Sequence, residues 1–146
     1  MFSDELKIKG RLVVERFDTD GESVEIREID NLVVQTGKVF IAERILLPTA
    51  DVMSHMAVGI GTIIPVSTNV GLTSEIARVS ISAAANADNV ITYVGVFPAG
   101  VGTGPITEAG IFNAAVDGTM LSHTTFAVVN KGENDSVSIT WSITIQ

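Results

Sequence analysis

The chain has 146 residues, with 9 basic and 17 acidic side chains, a formal net charge of −8 and no cysteine. A single domain of this length can bury roughly two-thirds of its unfolded surface, so it folds without metals or disulfides. The lack of cysteine excludes disulfides, thiolate zinc sites, iron–sulfur clusters and cysteine nucleophiles. An acidic chain is repelled by phosphate backbones, so we expect no binding to nucleic acid.

The N-terminal sequence has no basic region followed by an apolar core, so we expect no signal peptide. No apolar run approaches the roughly 20 residues that cross a bilayer. We therefore expect a protein that is made in a cytosol and makes no membrane contact.

Charged side chains are distributed unevenly along the chain. Residues 1–50 carry 17 of them, whereas residues 51–130 carry six. A monomer's surface is about a quarter charged or more, so the middle of the chain is unusually neutral. This predicts that part of it is buried against other subunits. The alternative is a neutral surface of alanine, glycine, serine and threonine.

The N-terminal segment has a hydrophobic period of two, which predicts a strand. Four apolar side chains share one face of it: Leu6, Ile8, Leu12 and Val14. The tetrapeptide Asp18-Thr19-Asp20-Gly21 predicts a hairpin turn, because glycine accepts the positive φ that such turns require. The return strand is expected over Ser23–Asp30, with Val24 and Ile26 facing inward and a bulge near Glu28.

A short helix is predicted over about 37–47, with Thr36 capping its start and Pro48 ending it. Its apolar side chains lie broadly on one side of the winding. They are Val39, Phe40, Ile41, Ala42, Ile45 and Leu46. We expect this helix to plug one end of a β core.

The rest of the chain continues the period of two. Further strands are predicted at about His55–Gly61, Ser74–Ile81, Asn89–Phe97, Ile106–Asn113, Met120–Val129 and Ser136–Gln146. The dipeptide Asp117-Gly118 predicts a tight turn. About eight short strands predict an all-β fold, either a β-sandwich or a jelly-roll-like barrel, with one short helix at about 37–47. We expect a single domain over residues 1–146, with residues 1–30 as an N-terminal hairpin or arm.

Histidines and glycines offer no convincing site. His55 and His123 lie in no metal-binding motif, so we expect structural or surface roles for both. The glycine-rich run over residues 100–104 is followed by Pro105 and a strand-like segment, and it contains no lysine. A phosphate loop needs a helix immediately after it, so this run is predicted to be an inter-strand loop.

The acidic residues are equally uninformative about chemistry. Asp18, Asp20 and Glu22 lack the spacing of a calcium loop and are expected at a solvated hairpin tip. Glu108 lies in an otherwise apolar strand, where a charge is usually paired or at an edge. We expect it to be structural, bonded to Arg78 or to a neighbouring subunit. The sequence thus predicts no catalytic residue, no cofactor, no metal ligand and no enzyme activity.

One apolar segment is a candidate interface. Ile63, Ile64, Pro65 and Val66 form an apolar loop that contains a proline. We predict that this segment is buried against another subunit. The alternative is a loop that folds over its own core.

Three blocks of the sequence resemble a pattern found in structural proteins of tailed bacteriophages. The first block is Asn31-Leu32-Val33-Val34-Gln35-Thr36-Gly37, followed by the predicted helix. The second comprises residues 56–62 and 71–78. The third comprises residues 106–113, 118–121, 126, 131–132 and 138–145. Together they span most of residues 31–146.

The resemblance implies a small virion component without catalytic residues. Such proteins include capsid decoration (cement) proteins and related domains of tail and baseplate proteins. A decoration protein implies a homotrimer that binds the major capsid protein on the capsid exterior and stabilises the shell. The alternative is a tail, baseplate or fibre-attachment subunit. A carbohydrate-binding β-sandwich is a third possibility, from a different functional class.

Overall fold

The computed structural model describes residues 4–48 and 51–146, and within these ranges the chain forms one antiparallel sheet of nine strands and one helix. The strands are β1 (Ile8–Phe17), β2 (Ser23–Val33), β3 (His55–Gly59), β4 (Glu75–Ser80), β5 (Ala83–Ala87), β6 (Val90–Phe97), β7 (Gly104–Phe112), β8 (Met120–Lys131) and β9 (Ser136–Ile145). Helix α1 (Gln35–Leu46) follows β2. The strand order is β4-β3-β7-β8-β2-β1-β9-β6-β5. The predicted all-β fold with one short helix is confirmed.

The sheet is curled into a half-barrel, its two halves face each other across the main core, and a smaller cluster of Val34, Ala57, Phe112 and Met120 is also buried. A Cβ added to Gly95 on β6 would lie 2.8 Å from the sulfur of Met56 on β3, so the two strands pack closely. Strand β2 joins the halves, because it pairs with β1 along its length but with β8 only at Leu32 and Val33. The fold therefore combines the packed faces of a sandwich with one continuous sheet.

The N-terminal hairpin and the last strand form the centre of the sheet. Strand β9 pairs with both β1 and β6, and its apolar face is buried as the alternation predicts. Its buried side chains are Val137, Ile139, Trp141 and Ile143. The predicted turn before β2 is also confirmed, with Gly21 at a φ of +79°. Residues 8–33 thus form an integral hairpin of the sheet and are not a detached arm.

The predicted orientation of β2 is wrong. Val24 and Ile26 are exposed, whereas Ile29 packs against the core. Regular pairing places Ile29 opposite the buried Leu12, and no bulge occurs near Glu28. The register shift lies instead beside the turn, at Arg16 and Phe17 of β1. Pairing with β1 therefore overrides the apolar alternation of β2 itself.

Helix α1 differs from its prediction at its start and in the face it buries. It begins at Gln35, and the Thr36 hydroxyl donates to the Met120 carbonyl (2.8 Å) instead of capping the helix. Phe40 and Ile41 pack against the core. By contrast, Val39, Ile45 and Leu46 are exposed, so only part of the predicted apolar face is buried.

Strand β5 was not predicted. Its sequence is Ala83-Ala84-Ala85-Asn86-Ala87, and alanine and asparagine have low β propensity. Pairing with β6 draws these residues into the sheet, and the hairpin turns at Asp88, which has a φ of +52°. The predicted turn over residues 86–89 is therefore confined to its second half.

Candidate functional site

A fully buried carboxylate with four hydrogen-bonding partners lies beneath the segment between β3 and β4. Glu108 lies on β7 and is 0% exposed. Its Oε1 accepts the backbone N–H groups of Gly61 (3.0 Å) and Ser74 (2.7 Å). Its Oε2 accepts the N–H of Thr73 (3.0 Å) and lies 2.9 Å from Nε2 of His123. The carboxylate thus joins both ends of the segment between β3 and β4 to the sheet.

His123 extends this network to the middle of the same segment. The ring lies on β8, is 1% exposed, and places Nδ1 3.1 Å from Oδ1 of Asn69. That oxygen also accepts the N–H of Val66 (2.9 Å), which fixes it as an acceptor. We call Glu108, His123 and Asn69 the polar clamp. It holds the segment at its beginning, middle and end.

The clamp carboxylate is charged at neutral pH. Burial alone opposes its ionisation, but the N–H groups of Ser74 and Thr73, the ring of His123 and the N–H of Gly61 outweigh burial. They hold the pKa of Glu108 below its usual value, because each favours the ionised form. Buried carboxylates persist only when bonded in this way.

The expected partner of Glu108 is wrong. Arg78 instead forms an ion pair with Glu75 (2.7 Å), and its guanidinium lies 3.8 Å above the ring of Phe112. Both faces of β7 are buried, and Glu108 lies on the face away from Ala109 and Ile111 of the main core, next to the segment whose N–H groups need acceptors. The clamp residues come from distant parts of the chain, so no local motif could reveal them.

A weaker signal for the clamp was nevertheless present in the sequence. A Cβ on Gly59 would lie 2.4 Å from the carbonyl oxygen of Ser74, and one on Gly61 would lie 2.5 Å from Oε1 of Glu108. Both glycines therefore leave room for the carboxylate and for the returning backbone. In the sequence they appear only as the run Gly59-Ile60-Gly61 at the end of the strand predicted over His55–Gly61.

The segment held by the clamp displays apolar side chains. We call residues 60–70 the apolar loop. Ile63, Ile64 and Val66 are 65%, 78% and 52% exposed, Val70 is also exposed, and Pro65 is partly buried. Most of these side chains therefore project from the surface, although the loop backbone bonds to the buried clamp. The predicted interface residues lie together on a surface whose backbone is fixed from beneath.

Neighbouring elements extend this surface. A shallow groove of about 340 Å³ runs beside the loop, and Leu32, Ile64, Pro65 and Thr125 contribute to its lining. The N–H of Gln35 at the start of α1 donates to the carbonyl of Ser67 (2.8 Å). The loop is thus attached to the helix as well as to the sheet.

Other candidate residues of the sequence have local structural roles. The carboxylate of Asp18 accepts the N–H groups of Asp20 and Glu22 and closes the first turn. The ring of His55 contacts the hydroxyl of Ser54 (2.8 Å). The glycine-rich run 100–104 connects β6 to β7. Within residues 4–48 and 51–146, no three acidic or histidine side chains are grouped to hold a metal ion.

A second polar cluster lies at the start of β9, beside the turn that joins β8 to β9. Arg16 bridges Glu25 and Asp135, each at 3.0 Å. The N–H of Gly132 and the nearby guanidinium of Arg16 hold the pKa of Asp135 below its usual range, against a smaller effect of burial. The cluster ties the turn between β8 and β9 to the central hairpin. The acidic groups of this cluster form ion pairs with Arg16, so we assign the cluster a structural role.

We expect acid to destabilise the fold through the clamp. The pKa of Glu108 is lower in the folded state, so its contribution is complete above the unfolded value of about 4.3 and is lost as the pH falls through the folded value. Unfolding free energies measured by urea between about pH 7 and pH 3 should therefore fall more steeply for the wild type than for Glu108→Gln. Equal slopes would contradict this role.

The fold and the clamp together define an all-β protein with an apolar loop on its surface, which is hydrogen-bonded to the clamp at residues 61 and 69. Glu108 and His123 are almost completely buried, so in this arrangement they support the loop and do not face solvent. No helix in the described part of the chain is long and apolar enough to cross a membrane. Comparisons with protein-family models, curated proteins and solved structures find no match.

Proposed function

We propose that this chain is a non-enzymatic virion structural protein. Its function is that of a capsid decoration (cement) protein, which binds the outer surface of the capsid and stabilises the shell. The observation that carries the proposal is the apolar loop, with Ile63, Ile64 and Val66 exposed above a buried clamp. Exposed apolar side chains on a fixed backbone are typical of an interaction surface.

Rigidity of the loop favours binding. Burying 100 Å² of apolar surface contributes about 2.5 kcal/mol before the costs of association. A loop that is already ordered loses less conformational entropy on binding than a mobile one. Many copies on one lattice add avidity to modest contacts. Such a protein stabilises a shell by contact alone.

The resemblance supports the same function. Its second block, residues 56–62 and 71–78, flanks the apolar loop and contains the clamped residues Gly61, Thr73 and Ser74. By this proposal the partner is the major capsid protein, the protein acts as a homotrimer, and it lies on the capsid exterior after synthesis in the host cytoplasm. The neutral stretch over residues 51–130 suits contacts with neighbouring subunits.

Substitution of the loop tests the proposal. We expect Ile63→Ser combined with Ile64→Ser to weaken co-sedimentation with undecorated capsids at least about tenfold, because each buried isoleucine contributes about 1.5–3 kcal/mol. Both side chains are exposed, so the unfolding free energy should change by no more than about 0.5 kcal/mol per substitution. Val24→Ser combined with Ile26→Ser, at two exposed residues of β2 outside the loop, is the matched control and should bind normally.

Capsid binding that survives the double substitution would contradict the loop assignment. The tail or baseplate alternative predicts a different location and stoichiometry. Imaging and mass spectrometry of the virion should find copy numbers comparable with the major capsid protein. A small number set by the symmetry of the tail would favour the alternative.

The carbohydrate-binding alternative has less support. Sugar sites commonly offer exposed aromatic rings, but Trp141 and Phe97 are fully buried. Among the described residues, no phenylalanine, tyrosine or tryptophan falls in the exposed class. Specific, saturable binding on a glycan array would revive this alternative.

A further inference from the structure

We infer that two copies of this chain associate by pairing their β5 strands, antiparallel, across a two-fold axis that passes through Ala85. Strand β5 ends the sheet, and among the described residues no strand pairs with its outer side. An edge strand leaves every second N–H and C=O group without a partner in the sheet. Another edge strand satisfies that row of groups directly.

The β5 edge lacks the features that normally block such pairing. Natural edge strands carry charges, prolines or bulges. Strand β5 has none of these, its pairing with β6 is regular, and all five of its side chains are small and exposed. Strand β4, at the opposite end of the sheet, carries Glu75 and Arg78. Only one of the two edges is therefore open.

The local charge of the β5–β6 hairpin permits a second copy as the partner. The protein has a net charge of −8, so two copies repel each other unless their contact surfaces are neutral. Between Ser82 and Phe97, Asp88 is the single ionisable acid or base apart from the phenol of Tyr93. The hairpin thus offers no charge to recognise a charged partner, and it suits a second neutral edge.

The strand is also complementary to itself. A two-fold axis at Ala85 places Ala85 opposite its own copy, Ala84 opposite Asn86, and Ala83 opposite Ala87. No large or charged side chains then meet, so the two backbones can approach to the normal spacing of a sheet. An isologous contact of this kind closes after two copies.

The inner side of β5 is unfilled, which supports the same conclusion. A groove of about 600 Å³ lies against it, and its lining includes the apolar Val52, Met53, Ile91 and Ile145 together with the charged Arg44 and Asp88. The chain's own described core therefore covers this end of the sheet incompletely. A strand added at β5 extends the sheet over this end and buries more apolar surface.

Introducing a charge at Ala85 tests the register directly. The wild type should double in mass as its concentration rises, measured by light scattering after size exclusion. The mass at each concentration is divided by the mass of the smallest species observed. Doubling can then be recognised whether that species is a monomer or a trimer. Ala85→Lys and Ala85→Glu should each weaken this association about fivefold or more, because like charges then face each other. An equimolar mixture of the two variants should restore it.

Ala115→Lys is the matched control, since Ala115 is an exposed alanine outside β5 and the variant should associate like the wild type. A wild type that never doubles, an Ala85→Lys variant that doubles normally, or a mixture that stays apart would each overturn the inference. Hydrogen exchange of the wild type provides a test without substitution. The amides of residues 83–87 that point away from β6 should gain protection with concentration, and unchanged exchange at these amides would also overturn it. None of these measurements involves capsids, so their outcome is independent of the test of capsid binding.

Discussion

Glu108→Gln should lower the free energy of unfolding by about 2–4 kcal/mol at neutral pH, because each buried N–H group left without an acceptor costs about 1–3 kcal/mol. The carboxylate accepts three backbone N–H groups and faces the ring of His123. A glutamine has one acceptor oxygen, and its NH₂ group would point at donors. Buried donors without acceptors are costly, so the loss should exceed that of an ordinary hydrogen bond.

Urea unfolding at pH 7 measures this loss, and Glu75→Gln provides the matched control. Glu75 also pairs with a basic side chain, Arg78, but its own side chain is 33% exposed. Partly exposed pairs contribute about 0–1 kcal/mol, so the control should remain close to the wild type. Similar losses in the two variants would show that Glu108 is no more than an ordinary ion-pair partner.

The same variant should release the apolar loop. Amide hydrogen exchange should accelerate in Glu108→Gln at Thr73 or at Gly61 and Ser74, because the single amide oxygen can replace only one of the two carboxylate oxygens. Amides at the centre of β9 should accelerate only as far as the global loss of stability requires. This comparison separates local release of the loop from general unfolding.

Gly37→Ala should lower the free energy of unfolding by about 2–3 kcal/mol, although alanine usually favours a helix by about 1 kcal/mol over glycine. Gly37 is buried in the first turn of α1, where an added Cβ would lie 2.1 Å from the carbonyl oxygen of Leu121. That oxygen belongs to the backbone of β8, so it cannot rotate away. The helix must move off the sheet and loosen the packing of Phe40 and Ile41.

Gly71→Ala is the control for this substitution. Gly71 lies outside any helix or strand, and nothing stands within 4 Å of a Cβ placed there. Its unfolding free energy should therefore change by no more than about 0.5 kcal/mol. Equal changes in unfolding free energy for Gly37→Ala and Gly71→Ala would show that α1 can shift to accommodate the added Cβ. The close packing at Gly37 would then not be required for the fold.

Local pattern was sufficient for the elements whose alternation and turns agree. The alternation in residues 136–145 predicted both the strand and its buried face, because successive side chains of a strand point to opposite sides. The turn at Gly21 was predicted from the conformational freedom of glycine. The all-β class with one short helix follows from features of this kind.

Local pattern failed where pairing with another strand decided the outcome. Val24 and Ile26 alternate like core residues, yet register with β1 turns them outward. A shift of one residue exchanges the two faces of a strand, and the partner strand fixes that shift. The alanine-rich β5 forms because β6 supplies its hydrogen bonds, which its own sequence does not indicate.

The sequence by itself determined the period of two, the main turns, the neutral middle of the chain and the apolar segment Ile63–Val66. Only the tertiary structure decided what Glu108 bonds to and that this segment is exposed. The clamp joins residues 61, 69, 73, 74, 108 and 123, which meet only after β3, β7 and β8 have paired. The partners of a buried charge are the groups that lie near it in the folded chain. The separation of two residues along the sequence does not show whether they lie near each other in the fold.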